Sequence, residues 1–463
     1  MLETNSGPKL QRVLGPVGVS LLTLSVLSPG ASVLVTGADI LHQAGTGSAI
    51  AFLVGGLLTL TFTFAQAELG SSFPLAGGDY ATIGNTLGPR AGFVQFGINL
   101  LQSPVFLGIS ATGVGLYLHL LIPAVPVLAL ALVATLLALG IAILNIRTGA
   151  LLTGIFLAVE LGALALIAVL GLFHPLQSIP AVFTAPLTFV GGTPAPITLT
   201  ALGLAIASAS WATSGAGQAI YFSEEMHHPA SVGRLVIILV LLTILFEFLP
   251  VLAIVVGTAD PGSVLTSESP FIAFVAERAS PLVGTMLTLG IIAALFNALV
   301  SGITCYGRFV YSSGRDHIWS EPVNRALVRL HPRFGSPWVA TVAFALTGAL
   351  GCFVGLSTLI ILAAGCGVAQ WALINWAGIV GRRRGLTGGP GTYRAPLFPL
   401  TNIVSLVAAA GLAVLAWSDP TTGRPGVLVV GGVILLSLLY HHLVLNRRTF
   451  GWTPLVTAVE SLR

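Results

Sequence analysis

Long apolar runs alternate with short segments of charge, proline or glycine along nearly the whole sequence. A helix needs about 20 predominantly apolar residues to cross a bilayer core of about 30 Å, and the runs reach that length. The pattern predicts an all-α polytopic membrane protein whose even number of spans leaves both termini on one side. The twelve predicted transmembrane helices cover residues 14–40, 46–70, 90–122, 124–145, 149–172, 197–222, 231–258, 282–313, 336–355, 357–380, 398–417 and 425–445.

Composition supports this prediction and narrows the class of protein. The 463 residues are 55% hydrophobic and only 7% charged, whereas about a quarter of the residues in a soluble domain are charged. The 55 glycines and 27 prolines suit a membrane bundle, where small residues let helices approach and neighbouring groups satisfy a broken backbone. The longest polar stretch, residues 311–336, is too short for a soluble domain. We therefore expect one membrane unit.

The lysines and arginines predict the orientation of the chain. If the N-terminus lies inside, seventeen of the nineteen fall on the inner side, and only Arg278 and Arg424 fall outside. Cytoplasmic loops carry such an excess, which predicts a multi-pass protein of the cytoplasmic membrane with cytoplasmic tails at 1–13 and 446–463. The scatter of these cations over short loops argues against a nucleic-acid partner. The triple arginine at 382–384 is expected beside the phosphates of membrane lipid.

Two of the predicted helices contain a break in mid-span. The first carries Ser28-Pro29-Gly30, where proline removes a backbone hydrogen bond and glycine tolerates open backbone. The sixth carries WATSGAG at residues 211–217, which is small, polar and glycine-interrupted in an otherwise apolar span. Packing or a simple kink explains either break alone, because Gly, Ser and Pro are common in membrane helices. The pair favours a transport site near the middle of the bilayer.

The positions of the two breaks suggest an internal repeat. If residues 14–172 and 197–380 are inverted repeats of five helices each, followed by two helices at 398–445, each break lies in the first helix of its repeat. Free N–H groups of one half-helix can hold a carboxylate and free C=O groups of the other an ammonium, which fits an amino acid or related amine. The predicted substrate-binding residues are Val26, Leu27, Ser28, Gly30, Ala31, Ser32, Trp211, Ala212, Ser214 and Gly215.

Three motifs resemble the amino acid, polyamine and organocation (APC) superfamily of transporters. The stretch AELGSSFPLAGGDY at 67–80 is similar to the superfamily's exit from helix 2, with an acidic residue followed by Phe-Pro, Gly-Gly and Tyr. The stretch YFSEEMHHP at 221–229 resembles the exit from helix 6, with His228 in place of the usual Asn. Residues 308–337 resemble the loop between helices 8 and 9. The resemblance runs over most of the chain.

This resemblance implies a particular fold and a gate. The fold is the leucine-transporter type, a five-plus-five inverted repeat with helices 1 and 6 broken, and the function is that of a bacterial amino acid permease-like transporter. The sequence SPGAS at 28–32 departs from the usual glycine-rich break, which weakens any substrate assignment. Relatives place an aromatic gate over the substrate at the position of Trp211, four residues before Gly215. A packed tryptophan is the structural alternative.

Glu160 and Glu247 are the clearest acidic residues within apolar spans, where ionisable groups are costly and face a cavity or a partner. Glu160 is in the middle of predicted helix 5, and the resemblance puts it where some proton-coupled relatives carry a lysine beside helix 1. A carboxyl there can gain and lose a proton, so Glu160 is the candidate proton-coupling residue. A hydrogen bond between helices is the alternative of equal weight. Glu247, three residues before Pro250, is assigned a structural role.

A polar face on predicted helix 8 is a further candidate for the cavity wall. Asn297, Ser301 and Thr304 recur there at helical spacing, and Gln102 is placed in the wall by position. Sodium-coupled relatives use hydroxyl groups of helix 8 to hold the ion, so sodium is the alternative to a proton as the coupling ion. Other polar residues placed in the same cavity are Ser103, Gln370, Trp371 and Asn375. The three cysteines and nine histidines lack zinc-site spacing, so we expect no metal and no cofactor.

The sequence thus predicts a secondary active transporter, either a symporter or an exchanger, for an amino acid or a related small amine. A proton is the favoured coupling ion. A ligand-binding membrane sensor or subunit with the same fold but no transport is the alternative. The sequence shows no Ser/His/Asp, metal-ligand or HExxH arrangement and no GxxxxGK[ST] loop, which disfavours an enzyme or an ATP-driven pump.

Overall fold

Helices make up most of the part of the chain that the computed structural model describes, residues 10–144, 146–420 and 423–447. The α-helices of the first half are α1 Pro16–Leu27, α2 Pro29–Ala31, α3 Ala38–Ala44, α4 Ser48–Ser72, α5 Asp79–Leu87, α6 Pro89–Leu121, α7 Val127–Ala142, α8 Ile146–Leu172, α9 Ile179–Thr184 and α10 Leu199–Ala212. Those of the second half are α11 Val232–Gly257, α12 Pro261–Val264, α13 Pro270–Arg278, α14 Pro281–Arg315, α15 Glu321–Leu327, α16 Trp338–Gly351, α17 Leu356–Arg383, α18 Leu400–Ser418 and α19 Gly423–Tyr440. Short 3₁₀ segments (Gly45–Gly47, Ala216–Glu225, Pro229–Ser231) and π segments (Ser32–Gly37, His441–Leu445) complete the helical structure of these ranges.

Eight helical stretches within the described residues are long and apolar enough to cross a membrane. They are Pro16–Ser72, Pro89–Leu121, Thr148–Leu172, Pro229–Gly257, Leu282–Arg315, Thr358–Arg383, Leu400–Ser418 and Gly423–Leu445. The first is 57 residues long, because only a 3₁₀ turn separates α3 from α4. Val127–Ala142 and Trp338–Gly351 are apolar but shorter. The chain is therefore an all-α polytopic membrane protein, as its apolar pattern predicts.

Two features differ from the predicted helices. The helix expected at 197–222 ends as an α-helix at Ala212 and resumes as the 3₁₀ segment Ala216–Glu225. The connection before it, which carries no apolar run, contains a β-hairpin of strands Leu187–Val190 (β1) and Thr193–Pro196 (β2). A hairpin buries no continuous apolar face, so hydropathy does not reveal it.

The β-hairpin contacts the middle of the first helical stretch. Gly191 and Gly192 form its turn with φ of 58° and 81°, values that glycine adopts readily. The strands pair antiparallel, with Leu187 opposite Pro196. The Leu187 N–H donates to Thr46 Oγ1 across 2.8 Å, and the Thr46 hydroxyl contacts the Leu187 carbonyl at 3.3 Å. The hairpin is thereby fastened to the turn between α3 and α4.

The core of the bundle lies where α14 and α11 cross the other helices. Helix α11 packs on α4 and α8, and α14 packs on α1, α6, α8 and α16. These packings bury polar and charged groups as well as apolar side chains; Glu160, Glu247 and Arg308 are each at most 2% exposed. Buried charges in a membrane bundle are paired or functional. The groups around each of these three residues therefore indicate which of the two roles it has.

Three ion pairs tie together one end of the bundle, and they join the three sequence motifs. Arg315 binds Glu224 with both ends of its guanidinium, at 2.7 and 2.8 Å, and the Ala76 N–H donates to the same carboxylate at 2.8 Å. Glu225 pairs with the buried Arg308. These contacts place segments 67–80, 221–229 and 308–337 side by side.

The third ion pair changes the interpretation of the triple arginine. Arg382 pairs with Glu68 and lies over the ring of Phe398 at 4.6 Å. Its side chain is only 11% exposed, so it is an internal structural cation rather than a lipid contact. Arg383 and Arg384 are exposed. A role beside lipid phosphates is therefore confined to those two.

Candidate functional site

The first interruption lies at Ser28, between α1 and α2. Ser28 has φ 45° and ψ 76°, in the left-handed region, while its N–H still closes the last turn of α1 on the Leu24 carbonyl at 2.8 Å. Pro29 follows as the first residue of α2, where its lack of an N–H costs nothing. The chain then continues through α2 and the π segment Ser32–Gly37 into α3. The backbone is thus broken at one residue and restarts at once.

Glu160 of α8 fills the space beside the first interruption. Its Oε1 atom accepts from the Gly30 N–H at 2.7 Å and from the Ser28 hydroxyl at 3.0 Å. A Cβ on residue 30 would lie 2.6 Å from Glu160 Cγ, which explains why glycine stands there. The Oε2 atom is buried and has no hydrogen-bond partner among the residues that the structure describes. One oxygen of the carboxyl therefore holds the broken helix, and the other is free to bind a proton or a ligand.

The second interruption covers residues 213–215, between α10 and the 3₁₀ segment Ala216–Glu225. Gly215 has φ 119°, which side-chain-bearing residues rarely adopt. The Ser214 hydroxyl donates to the Trp211 carbonyl at 2.6 Å, and the Thr213 hydroxyl bonds to the Ala209 carbonyl at 2.9 Å. Both hydroxyls bind carbonyls at the end of α10. The first N–H groups of the next segment have no intrahelical carbonyl to donate to, because no helical turn precedes them.

The two interruptions face the same cavity. The Ser32 hydroxyl, just past the first, donates to the Ala212 carbonyl, just before the second, at 3.2 Å. The volume inside the cavity that the centre of a water molecule can occupy is about 90 Å³, which suits a small solute. The cavity is lined by Val26, Leu27, Ser32, Phe62, Gln66, Asp79, Asn99, Gln102, Ser103, Phe106, Trp211, Ala212, Ser214, Gly215, Gln218, Tyr221, Tyr306, Ala363, Gly367, Gln370 and Trp371.

Comparison with known proteins places the chain in a family. The family model described as amino acid permease matches residues 21–446, nearly the whole chain. The chain belongs to the amino acid permease family. This confirms the superfamily inferred from the three motifs.

Two curated relatives support the same assignment along the full length. The chain is 24% identical over 458 residues to the putative histidine permease of Bacillus subtilis (strain 168). The aligned region covers 95% of each protein. The chain is 22% identical over 443 residues to the amino-acid permease RocC of the same organism, covering 88% of this chain and 89% of the relative. The permease family indicates a transporter rather than an enzyme.

Eleven of the residues predicted for the site line the cavity: Val26, Leu27, Ser32, Gln102, Ser103, Trp211, Ala212, Ser214, Gly215, Gln370 and Trp371. Three residues predicted at the first interruption, Ser28, Gly30 and Ala31, do not line it. Ser28 and Gly30 turn the other way, towards Glu160, and the Ser28 hydroxyl also contacts the Ala294 carbonyl at 3.3 Å. The Ala31 N–H bonds to the Ser28 hydroxyl. The N–H groups of the first interruption are thus already occupied.

The polar face of α14 lies outside the cavity wall. Thr304 bonds its own helix at the Val300 carbonyl, 2.9 Å away, and Ser301 is fully buried. Asn297 approaches the Glu160 carboxyl without reaching good hydrogen-bond geometry. Glu247, from α11, faces Ser32 and lies close enough to Glu160 for their charges to interact. These groups form a second polar region, on the opposite side of the first interruption from the cavity.

Asp79 is the site residue that the sequence analysis missed. It begins α5, lines the cavity and is 3% exposed, and it accepts hydrogen bonds from the amides of Gln66 at 2.9 Å and Gln370 at 2.6 Å. The polar segment around it reads as a connecting loop in a hydropathy pattern. The signal that could have found it is an aspartate directly after Gly77-Gly78. Glycine at residue 78 has φ 59°, which lets the chain turn back into the bundle.

Trp211 forms the wall between the cavity and a wider groove. It lines both spaces, together with Gly367 and Trp371 of α17. The groove lies between α10, α17, α18 and α19. The volume in it that the centre of a water molecule can occupy is about 1110 Å³. Moving the indole ring would connect the two spaces. Asn375, in contrast, is bonded to the Ser405 hydroxyl at 2.7 Å and lies outside the cavity lining.

Proposed function

We propose that the chain is a secondary active transporter, a symporter or exchanger, that moves an amino acid or a related small amine across the cytoplasmic membrane by alternating access. The observation that carries this proposal is that two interrupted helices open onto one small cavity. Interrupted helices at a repeat interface form the substrate sites of many transporters, because their ends supply polar backbone groups within the bilayer. The names of the two relatives, a putative histidine permease and an amino-acid permease, agree with an amino acid as the substrate.

The interruptions supply complementary ends for a zwitterion. The last carbonyls of α1, at Val26 and Leu27, lie where an ammonium group is favoured, because the C-terminal end of a helix is negative. The N–H groups that begin Ala216–Glu225 favour a carboxylate for the converse reason. The N–H of Gly30 is occupied by Glu160. The substrate carboxylate is therefore assigned to the second interruption.

Glu160 is the group that we propose couples transport to a proton. Its free Oε2 atom and its two contacts with the first interruption would make its protonation sensitive to movement of that segment. Protonation of Oε2 would neutralise the carboxyl while Oε1 continues to accept both hydrogen bonds. Sodium is the alternative ion, since Glu247, Asn297 and Ser301 add buried oxygens without hydrogen-bond partners near this region.

The same proposal includes the architecture and orientation predicted from the sequence. Twelve spans follow if Pro16–Ser72 is two spans, if α7 and α16 cross despite their length, and if α10 with Ala216–Glu225 forms one interrupted span. Inverted repeats at 14–172 and 197–380, followed by helices at 398–445, would put an interruption in the first span of each repeat. Both termini would be cytoplasmic, on the side of the three ion pairs.

Uptake by the purified chain in proteoliposomes tests this function. We expect radiolabelled amino acids, histidine among them, to accumulate above the external concentration when an inward proton gradient is imposed. Dissipating the gradient should reduce uptake to equilibration or exchange, and protein-free liposomes give the baseline. Binding of an amino acid without uptake or counterflow would indicate a sensor and contradict the proposal. Accumulation that follows a sodium gradient instead would reject only the assignment of the ion.

A further inference from the structure

The cavity contains a buried carboxylate that the proposed zwitterion contacts do not use. Asp79 is held by two neutral amide groups, Gln66 of α4 and Gln370 of α17. A carboxylate can only accept hydrogen bonds, so each glutamine must turn its amide nitrogen towards Asp79. The orientation of both side chains is therefore fixed by the aspartate.

Asp79 has no cationic partner in the described ranges. The ion pairs there use Glu68, Glu224, Glu225 and Glu321, and the buried arginines 308, 315 and 382 are all taken by the first three of these. A charge buried without a counter-ion is strongly unfavourable. Two amide hydrogen bonds offset only part of that cost. The site is therefore incomplete without a proton or a cation.

The other polar groups on this side of the cavity favour a ligand that donates hydrogen bonds. Gln66 Oε1 and Gln218 Oε1 are buried acceptors without a partner. A group that carries several N–H donors and a positive charge complements this arrangement. An apolar side chain would leave these acceptors and the Asp79 charge uncompensated.

We propose that Asp79 binds the cationic side chain of the substrate, an ammonium, guanidinium or imidazolium group, while the two interruptions hold its α-amino and carboxylate groups. The inference rests on the proposed transport function and specifies its substrate class. It differs from a structural role, in which Asp79 only begins α5 and orients the two glutamines. Asparagine would fill that structural role, because it keeps the size and one acceptor oxygen but has no charge.

Matched ligand pairs test the charge preference on the wild-type chain in lipid nanodiscs. The pairs are arginine with citrulline, lysine with norleucine, and, at pH 5.5, histidine with β-thienylalanine, and affinity is measured by ligand-induced thermal stabilisation and by titration calorimetry. We expect at least one cationic amino acid to bind about tenfold or more tightly than its neutral match. Equal affinity within all three pairs would overturn the inference and leave the transport proposal intact. Failure of all six to bind would instead count against the proposed function itself.

The variant Asp79→Asn assigns the preference to this residue. We expect the affinity ratio within the discriminated pair to fall close to one while the neutral member still binds; a preference that persists would overturn the assignment. Asp39→Asn is the matched control, because Asp39 also accepts from a glutamine amide, Gln43 at 2.7 Å, but is exposed on α3. Asp79→Glu keeps the charge and should keep the preference, so it separates loss of charge from loss of folding.

Discussion

Glu160 Oε1 and the Gly30 backbone N–H are 2.7 Å apart, and this single hydrogen bond joins the middle of α8 to the first interruption. A carboxyl of α8 thus takes a backbone donor that the sequence analysis assigned to the substrate. In the proposed transport cycle, this bond links the position of the broken helix to the protonation of Glu160.

Replacing Glu160 with glutamine should uncouple transport from the proton. Glutamine keeps an oxygen that can accept from Gly30 and Ser28 but cannot ionise. We expect accumulation driven by a proton gradient to be abolished, whereas substrate binding and exchange across proteoliposomes persist. Uptake measured against external pH should lose its pH dependence in the variant. A variant with a normal rate and an unchanged pH profile would show that Glu160 is a packing residue.

Gly30→Ala should destabilise the chain, because the added Cβ would lie 2.6 Å from Glu160 Cγ. Overpacking of this kind costs about 1–3 kcal/mol of unfolding free energy. Denaturant unfolding in detergent can measure the loss, and Gly162→Ala on the exposed face of α8 is the control, since nothing lies within 4 Å of its Cβ position. Adding Glu160→Ala to Gly30→Ala should recover part of the stability. A strictly additive double variant would argue against the clash.

Trp211→Ala should weaken substrate binding by about 2 kcal/mol, or roughly 30-fold in Kd, because it removes the ring that separates the cavity from the wider groove. Calorimetric titration of purified protein gives the change. Trp376→Ala serves as the control, since Trp376 of α17 is 54% exposed on the outer surface. Unchanged affinity and uptake in a monodisperse Trp211 variant would identify the ring as packing.

Cysteine labelling tests the proposed orientation of the bundle. Single cysteines at the exposed positions Arg325 of α15 and Thr193 of the β-hairpin are introduced after Cys305, Cys352 and Cys366 are replaced with serine. An impermeant maleimide applied to intact cells should modify the Thr193→Cys protein. It should modify the Arg325→Cys protein only after the membrane is permeabilised. The reverse pattern would place the termini outside.

The sequence predicts the helices and their interruptions well, because both depend on local chemistry. Apolar length is imposed by the bilayer, proline cannot continue a preceding helix without losing a backbone hydrogen bond, and glycine tolerates the open backbone of a break. The direction in which each side chain points depends instead on tertiary packing. Ser28 and Gly30 face α8 rather than the cavity because the helix is rotated by its packing, and no sequence pattern near residue 28 specifies that rotation.

Three features of the site and its surroundings could not be predicted from hydropathy. Asp79 reaches the cavity only because the short helix α5 folds back into the bundle, which is a tertiary event. The inward face of α14 is polar as predicted, but its Asn297 points towards Glu160. Arg382 stands in a run of three arginines in the sequence, and only its pairing with Glu68 makes it internal. Each case depends on contacts between residues distant in sequence.

The hydrogen bond from Leu187 to Thr46 has a mechanical consequence for any opening motion. Thr46 ends the arm that starts at the first interruption, and β2 leads within two residues into α10, which ends at the second. The hairpin therefore connects the segment that follows the first interruption to the helix that precedes the second. If the proposed transport cycle uses hinges at Ser28 and at residues 213–215, we expect the two arms to rotate together rather than separately.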